Sequence, residues 1–289
     1  MLLFGGRSLV FGRTLVMGIL NMTADSFYGP SRLSTAGDAL ERAKLMASDG
    51  ADIIDIGAES TRPGSQAAPA DYEIAALIPA IEAIRSELPQ IPISVDTRRA
   101  KTARLSLDAG ADIINDVSGL DLPDESEEMI KLAAGSGAPY ILTHTKGTPD
   151  IMQKDVYYEN FWEELIDFFG KKLDLLSKSG VSMDRIILDP GVGFGKRRDD
   201  NIEIVANMSE LKKFGLPVLI GVSRKGFIGR IYQLAGLESQ TRPEDCLEGT
   251  LAITALCAVD GIDIVRVHDV KENRLVVEVA DSIRRFRHE

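Results

Sequence analysis

Asp96, Asn115 and Asp189 each close or nearly close a short β-branched run, 91–96, 112–116 and 185–189, so each acceptor faces whatever lies beyond the end of a buried strand. Two carboxylates and an amide converging on one floor suit a flat heterocycle rich in N–H donors. Other runs end in cations: Arg62 follows 52–57, Lys225 follows 217–222, and Arg266 and His268 close 263–267. Such a set binds phosphate or carboxylate. One pocket with both halves implies a substrate carrying both groups. The stretch from Ala51 to Gly64 shows the pattern most compactly, apolar through Ile56 and then Glu59-Ser60-Thr61-Arg62-Pro63-Gly64.

Each of these signals has a blander reading. Asp25, Thr97 and Asp116 fit helix caps or Asx-type turns as readily as ligands. Gly191, Gly193 and Gly195 miss the dinucleotide spacing by one residue, and miss the phosphate-loop pattern because Arg197 stands where Ser or Thr is needed. His144 fits a packed or capping histidine as well as a catalyst. No His, Cys and carboxylate set has zinc spacing, so no built-in metal is expected, and no serine or cysteine sits in a convincing triad. The bland readings leave one thing unexplained, which is that the acids, the amide and the cations all fall at the ends of successive runs.

Those runs are 14–20, 52–57, 91–96, 112–116, 139–143, 185–189, 217–222 and 263–267. Amphipathic segments near 36–49, 71–87, 98–109, 125–135, 158–179, 199–214, 243–260 and 270–287 carry apolar residues at three- and four-residue spacing. Eight βα units in 289 residues predict an α/β fold, a (β/α)8 TIM barrel spanning 1–289 as one domain. A doubly wound sheet is the alternative, because periodicity alone does not show that a sheet closes. Residues 2–11 predict a short N-terminal β-hairpin turning at Gly5-Gly6. In a closed barrel every strand-end residue above faces one mouth.

Composition narrows the partners. A formal charge of −11 argues against nucleic acid, whose phosphates need a basic face. No apolar run approaches the ~20 residues of a membrane span. The N-terminal stretch lacks the form of a signal peptide. Cys246 and Cys257 lie in predicted helix without framework spacing, and the chain reads as cytoplasmic and reduced.

The motifs together resemble the dihydropteroate synthase family of pterin-binding barrels. They run from Met17-Gly-Ile-Leu-Asn21 through the Glu59–Gly64 loop, Ser94-Val-Asp-Thr97, Ile114-Asn-Asp-Val-Ser-Gly119, Leu188-Asp-Pro-Gly191 and Gly221-Val-Ser-Arg-Lys225 to Arg266-Val-His-Asp-Val-Lys271. The resemblance implies an enzyme that joins 6-hydroxymethyl-7,8-dihydropterin pyrophosphate to p-aminobenzoate. Asp96, Asn115, Asp189 and Lys225 match the pterin positions, and Asn21, Arg62, Arg266 and His268 match the pyrophosphate positions. Asn21 also matches the ligand of a magnesium ion, Mg2+, that arrives with the pyrophosphate. Thr61, Arg62, Pro63, Phe194, Ser223 and Lys225 match positions around p-aminobenzoate, and Asp96, Lys225, Arg266 and His268 would carry the catalysis. Family analogy also implies a homodimer, to which the apolar faces of 242–260 and the last helix add.

The chain departs from the family pattern in places. Ala24 replaces a proline and Tyr28-Gly29-Pro30 replaces Ser-Asp-Gly, so the second aspartate of that loop is missing at Gly29. Thr143 and Thr145 stand where methionines commonly flank the histidine, which makes one wall of the pterin pocket more polar. Gly226 replaces the usual serine and Phe227 follows it. Their expected place beside the arylamine predicts altered discrimination between p-aminobenzoate and sulfonamides. Two other readings stay open: a methyltetrahydrofolate-dependent methyltransferase serving a corrinoid protein, which has no need of the anion set, and a noncatalytic pterin-binding module.

Overall fold

The computed structural model describes residues 1–4, 6–22, 35–59, 69–147, 156–237 and 242–288. Two short strands, β1 (Leu2–Phe4) and β2 (Arg7–Leu9), pair antiparallel with Gly6 at φ +78 in the turn. Eight parallel strands follow: β3 (Leu15–Asn21), β4 (Ile53–Gly57), β5 (Ile93–Asp96), β6 (Ile113–Asp116), β7 (Tyr140–Thr143), β8 (Ile186–Asp189), β9 (Leu219–Ile220) and β10 (Ile264–Val267). Each pairs with its neighbour in sequence, β10 returns to β3, and a bridge from Leu188 to Val218 joins β8 to the start of β9. The ring therefore closes, and the doubly wound alternative falls.

The helices are α1 (Ala36–Ser48), α2 (Ala70–Glu87), α3 (Ala100–Asp108), α4 (Pro123–Ser136), α5 (Phe161–Lys178), α6 (Arg198–Asn207), α7 (Gly226–Leu234), α8 (Leu247–Val259) and α9 (Val270–His288). Local chemistry sets their ends. The Thr35 hydroxyl accepts from the Asp38 N–H, Asn160 caps α5 through the Glu163 N–H, and Pro123 opens α4, which stops at Gly137 in the left-handed region. Two predicted helices break into a 3-10 turn plus a helix, at Met208–Phe214 and Pro243–Cys246. Helix α7 was not predicted at all, because Gly226 and Gly229 interrupt a nine-residue segment.

Strand alternation sorts the barrel interior into layers. Leu15, Met17, Ile53, Ile113, Ile141, Ile187, Leu219 and Ile264 point inward and form an apolar plug with Leu2 and Leu9 of the hairpin. The hairpin closes the amino end of the barrel, held by the Arg7 Nε–H on Asp112 at 2.9 Å, and Arg85 binds the same carboxylate at 2.6 Å. The alternate residues, among them Ile54, Val95, Leu142 and Leu188, pack outward on the helices in the main core. Further along most strands the inward positions turn polar, whereas β3 keeps Ile19 inward, in register with Asp55, before Asn21, and β9 gives way to Gly221.

Candidate active site

The polar layer consists of Asn21, Asp55, Ser94, Asp96, Asn115, Thr143, Asp189 and Arg266, each on the inward face by the same alternation. Register makes several of them neighbours: Asp55 sits beside Ser94, Asp96 beside Asn115, and Thr143 beside Asp189. The convergence expected of Asp96, Asn115 and Asp189 is thus present. Arg266 crosses the floor, donating from Nε to Asp55 at 2.5 Å and from its terminal nitrogen to Asp96 at 2.6 Å. Its charge is already shared by two carboxylates, so it belongs to the floor more than to the anion set with which the sequence groups it.

Asp55 is the member that sequence reasoning missed. It is fully buried, and besides Arg266 it accepts from the Asn115 amide nitrogen at 3.2 and 3.3 Å to its two oxygens. Because the amide nitrogen is spent there, Asn115 presents its carbonyl oxygen, which has no hydrogen-bond partner among the described residues. Asp55 therefore sets which end of the amide meets a ligand. The available signal was a charged residue inside an apolar run, Ile53-Ile54-Asp55-Ile56, a placement that costs free energy unless the charge is paired.

Electrostatics in this layer is strongly perturbed. Burial pushes the Asp96 carboxyl up to about 7, Arg266 opposes the rise, and Asp55 adds to it. Asp189 is likewise raised by burial, against the Gly191 N–H that it accepts at 2.7 Å and the charges of Arg266, Lys196 and Lys225. Lys225 is drawn down to about 8 by burial and Arg266, with Asp189 and Asp96 holding it up. Perturbed groups of both signs clustered at a barrel mouth mark a functional site.

Above the floor, the turn after β9 supplies Ser223 and Lys225. Arg224 lies between them at φ +56, and its guanidinium turns away to Asp269 at 2.8 and 2.9 Å and to the carbonyls of Pro243 and Glu244. That clamp holds a backbone conformation costing about 1–3 kcal/mol and sends Lys225 to the mouth. The Lys225 ammonium sits 4.5 Å from the centre of the Phe194 ring. Phe194 lies on the β8–α6 connection, where Gly191 is required: a Cβ there would stand 2.0 Å from the His144 carbonyl oxygen. The glycines of this loop serve close packing, and Lys196 ties the loop down with Nζ on the His144 ring, the His144 carbonyl and the Phe194 carbonyl.

His144 is buried among Tyr158, Phe161 and Phe168, which settles it as a packed histidine. Asp116 and Thr97 likewise follow their bland readings, bonding the Ser118 and Arg99 backbone N–H groups. Glu59 is pinned by Arg98 and Arg99 at the base of the second loop. His268 corrects the picture of a uniformly cationic rim, because burial and then Arg266 and Lys225 pull its imidazole down to about 3. Ser223 accepts the His268 backbone N–H at 3.1 Å and lies 2.9 Å from Nδ1. We assign the hydroxyl proton to Nδ1 and the ring proton to Nε2, which makes His268 a neutral donor. Phe227 is buried in the main core, so only Gly226, exposed beside Lys225, remains of the pair expected at the arylamine. Thr61, Arg62 and Pro63 lie outside the described residues, as do Ala24, Asp25 and Tyr28-Gly29-Pro30.

Among the described residues no group of three or more His, Cys, Asp or Glu could hold a metal. Asn21, half-buried at the end of β3, offers one amide oxygen. A magnesium ion that takes most of its ligands from water and phosphate oxygens needs no more than that from protein.

The model of the pterin binding enzyme family matches residues 17–268. A dihydropteroate synthase from Synechocystis sp. is 43% identical over 94% of this chain and 90% of its own. The chain belongs to the dihydropteroate synthase family. A crystal structure of the Yersinia pestis dihydropteroate synthase with a sulfonamide drug complex superposes with a TM-score of 0.91 at 35% identity, covering 98% of both chains. The Xanthomonas albilineans dihydropteroate synthase with 4-aminobenzoic acid gives a TM-score of 0.84 at 35% identity over 96% of both chains.

Proposed function

We propose that the chain condenses 6-hydroxymethyl-7,8-dihydropterin pyrophosphate with p-aminobenzoate, giving 7,8-dihydropteroate and pyrophosphate in folate biosynthesis. The observation that carries this reading is the floor itself: Asp96, the Asn115 carbonyl and Asp189 present acceptors to one lumen, with Lys225 directly above. Those acceptors take the N–H groups of the pterin and fix its plane. The bond from the pterin methylene carbon to the pyrophosphate oxygen breaks with its electron pair leaving on the pyrophosphate, and the arylamine nitrogen attacks the carbon and gives up a proton. Ionised Asp96 favours the cationic pterin formed as that bond weakens, and the His268 Nε2–H and Lys225 face the departing anion, to which the family resemblance adds Arg62. Magnesium bound with the pyrophosphate would supply further positive charge at the leaving oxygens, and Asn21 would hold it. Positioning and fixed charge account for the chemistry without a nucleophilic side chain.

Three finer readings accompany this one. Leu275, Val279, Ile283 and Phe286 form an exposed stripe on α9, α8 packed against it exposes Leu256, and a second copy of the chain covering that stripe makes a homodimer. The unbridged, buried cysteines Cys246 and Cys257 agree with a reducing, cytoplasmic setting, and no helix among the described residues is long and apolar enough to cross a membrane. Gly226, where added side-chain atoms would meet nothing within 4 Å, removes the usual serine beside Lys225 and alters sulfonamide discrimination.

The test is release of pyrophosphate when the chain is mixed with the pterin pyrophosphate and magnesium, with and without p-aminobenzoate. Release that depends on p-aminobenzoate supports the synthase. A chain that binds the pterin and releases nothing is a binding module, and the proposed chemistry is then wrong.

A further inference from the structure

The ligand-facing groups of the floor are nearly all acceptors. Asp96 and Asp189 accept as carboxylates, and Asn115 shows its carbonyl because its amide nitrogen is held by Asp55. A pterin also carries acceptors of its own, a ring carbonyl and unprotonated ring nitrogens, and these need donors.

Thr143 is placed to be one. In β7, Ile141 belongs to the inward apolar plug while Tyr140 and Leu142 pack outward, so Thr143 stands inward one layer above Ile141. It is fully buried and pairs in register with Asp189. Its methyl carbon lies against Gly191, 3.2 Å from where a Cβ there would sit, which leaves the hydroxyl on the other branch. That Oγ1 has no hydrogen-bond partner among the described residues. A buried hydroxyl without a partner destabilises a fold relative to the nearly isosteric valine, so its presence beside a ligand-reading acid needs another reason.

We propose that the Thr143 hydroxyl is a specificity contact that donates a hydrogen bond to an acceptor of the bound pterin beside Asp189. The assignment deepens the pterin reading above and rests on it. With a valine at this position the same acceptor would be buried without a partner.

Calorimetric titration with 6-hydroxymethylpterin, together with thermal unfolding of the ligand-free protein, tests the proposal on wild type, Thr143→Val and Thr143→Ser. The valine variant should bind about tenfold more weakly yet unfold at the wild-type temperature or above, while the serine variant keeps the affinity. The KM for p-aminobenzoate should not move. Valine binding as tightly as wild type overturns the proposal. So does a valine variant whose melting temperature falls along with its affinity, since the hydroxyl would then be serving the fold. A wild-type protein that does not bind 6-hydroxymethylpterin sinks the pterin reading itself, whereas binding by wild type and valine alike sinks only the role of Thr143.

Discussion

Asp55 governs two ligand-facing groups at once, the Asn115 amide and, through Arg266, the Asp96 carboxylate. Asp55→Asn should therefore weaken pterin binding by about tenfold or more, because the amide loses a charged acceptor that fixes its orientation. Asp96 adds a pH dependence. Its pKa is raised to about 7, so below that pH a proton occupies the carboxyl that must accept the pterin N–H, and affinity should fall toward tenfold per pH unit. Removing the Asp55 charge, one of the causes of the rise, should move that midpoint to lower pH. His268, held near 3, contributes no break of its own between about pH 5 and 8. Titrations across that range check both statements, and an affinity flat from about pH 6 to 8 would contradict the first. Asp96, Asn115 and Asp189 are legible in sequence because they end their runs. Asp55 is not, since a mid-strand acid looks the same whether it is paired below a site or simply out of place.

At the scale of elements, the site depends on the turn between β9 and α7. Arg224 is held in a left-handed conformation by Asp269 at the start of α9, which couples the position of Lys225 to the seat of the last helix. Asp269→Ala leaves a buried guanidinium without its carboxylate partner and should cost on the order of 3 kcal/mol in urea unfolding. It should also lower kcat by more than it raises the KM for p-aminobenzoate, and unchanged stability would refute the clamp. The barrel strands are readable to within about two residues, since strands buried on both faces keep their apolar signal unbroken. Helix α7 is not readable, because its two glycines weaken the pattern. Gly249 of α8 shows the packing that replaces it, for a Cβ there would stand 2.4 Å from Ile228.

For the whole molecule, charge and shape point to different partners. The net charge of −11 leaves a small cationic rim to gather an anionic substrate, while α8 and α9 leave an apolar stripe uncovered. Light scattering should give twice the mass of one chain, and Leu275→Glu with Val279→Glu should halve it. A monomer mass for the wild type would remove the dimer. Closure of the barrel was beyond the sequence, because alternating strands and helices are common to open and closed sheets. It rests on β10 pairing with β3 and on the contact between Leu188 and Val218.

The account stands on the lumen floor and the rim acting on one substrate. The direct measurement is chromatographic detection of dihydropteroate from the pterin pyrophosphate and p-aminobenzoate with magnesium, for wild type and Lys225→Ala. Wild type should form the product, and the alanine variant should lose about 100-fold or more in kcat/KM. No product from the wild-type chain, or equal rates from both, would contradict the account.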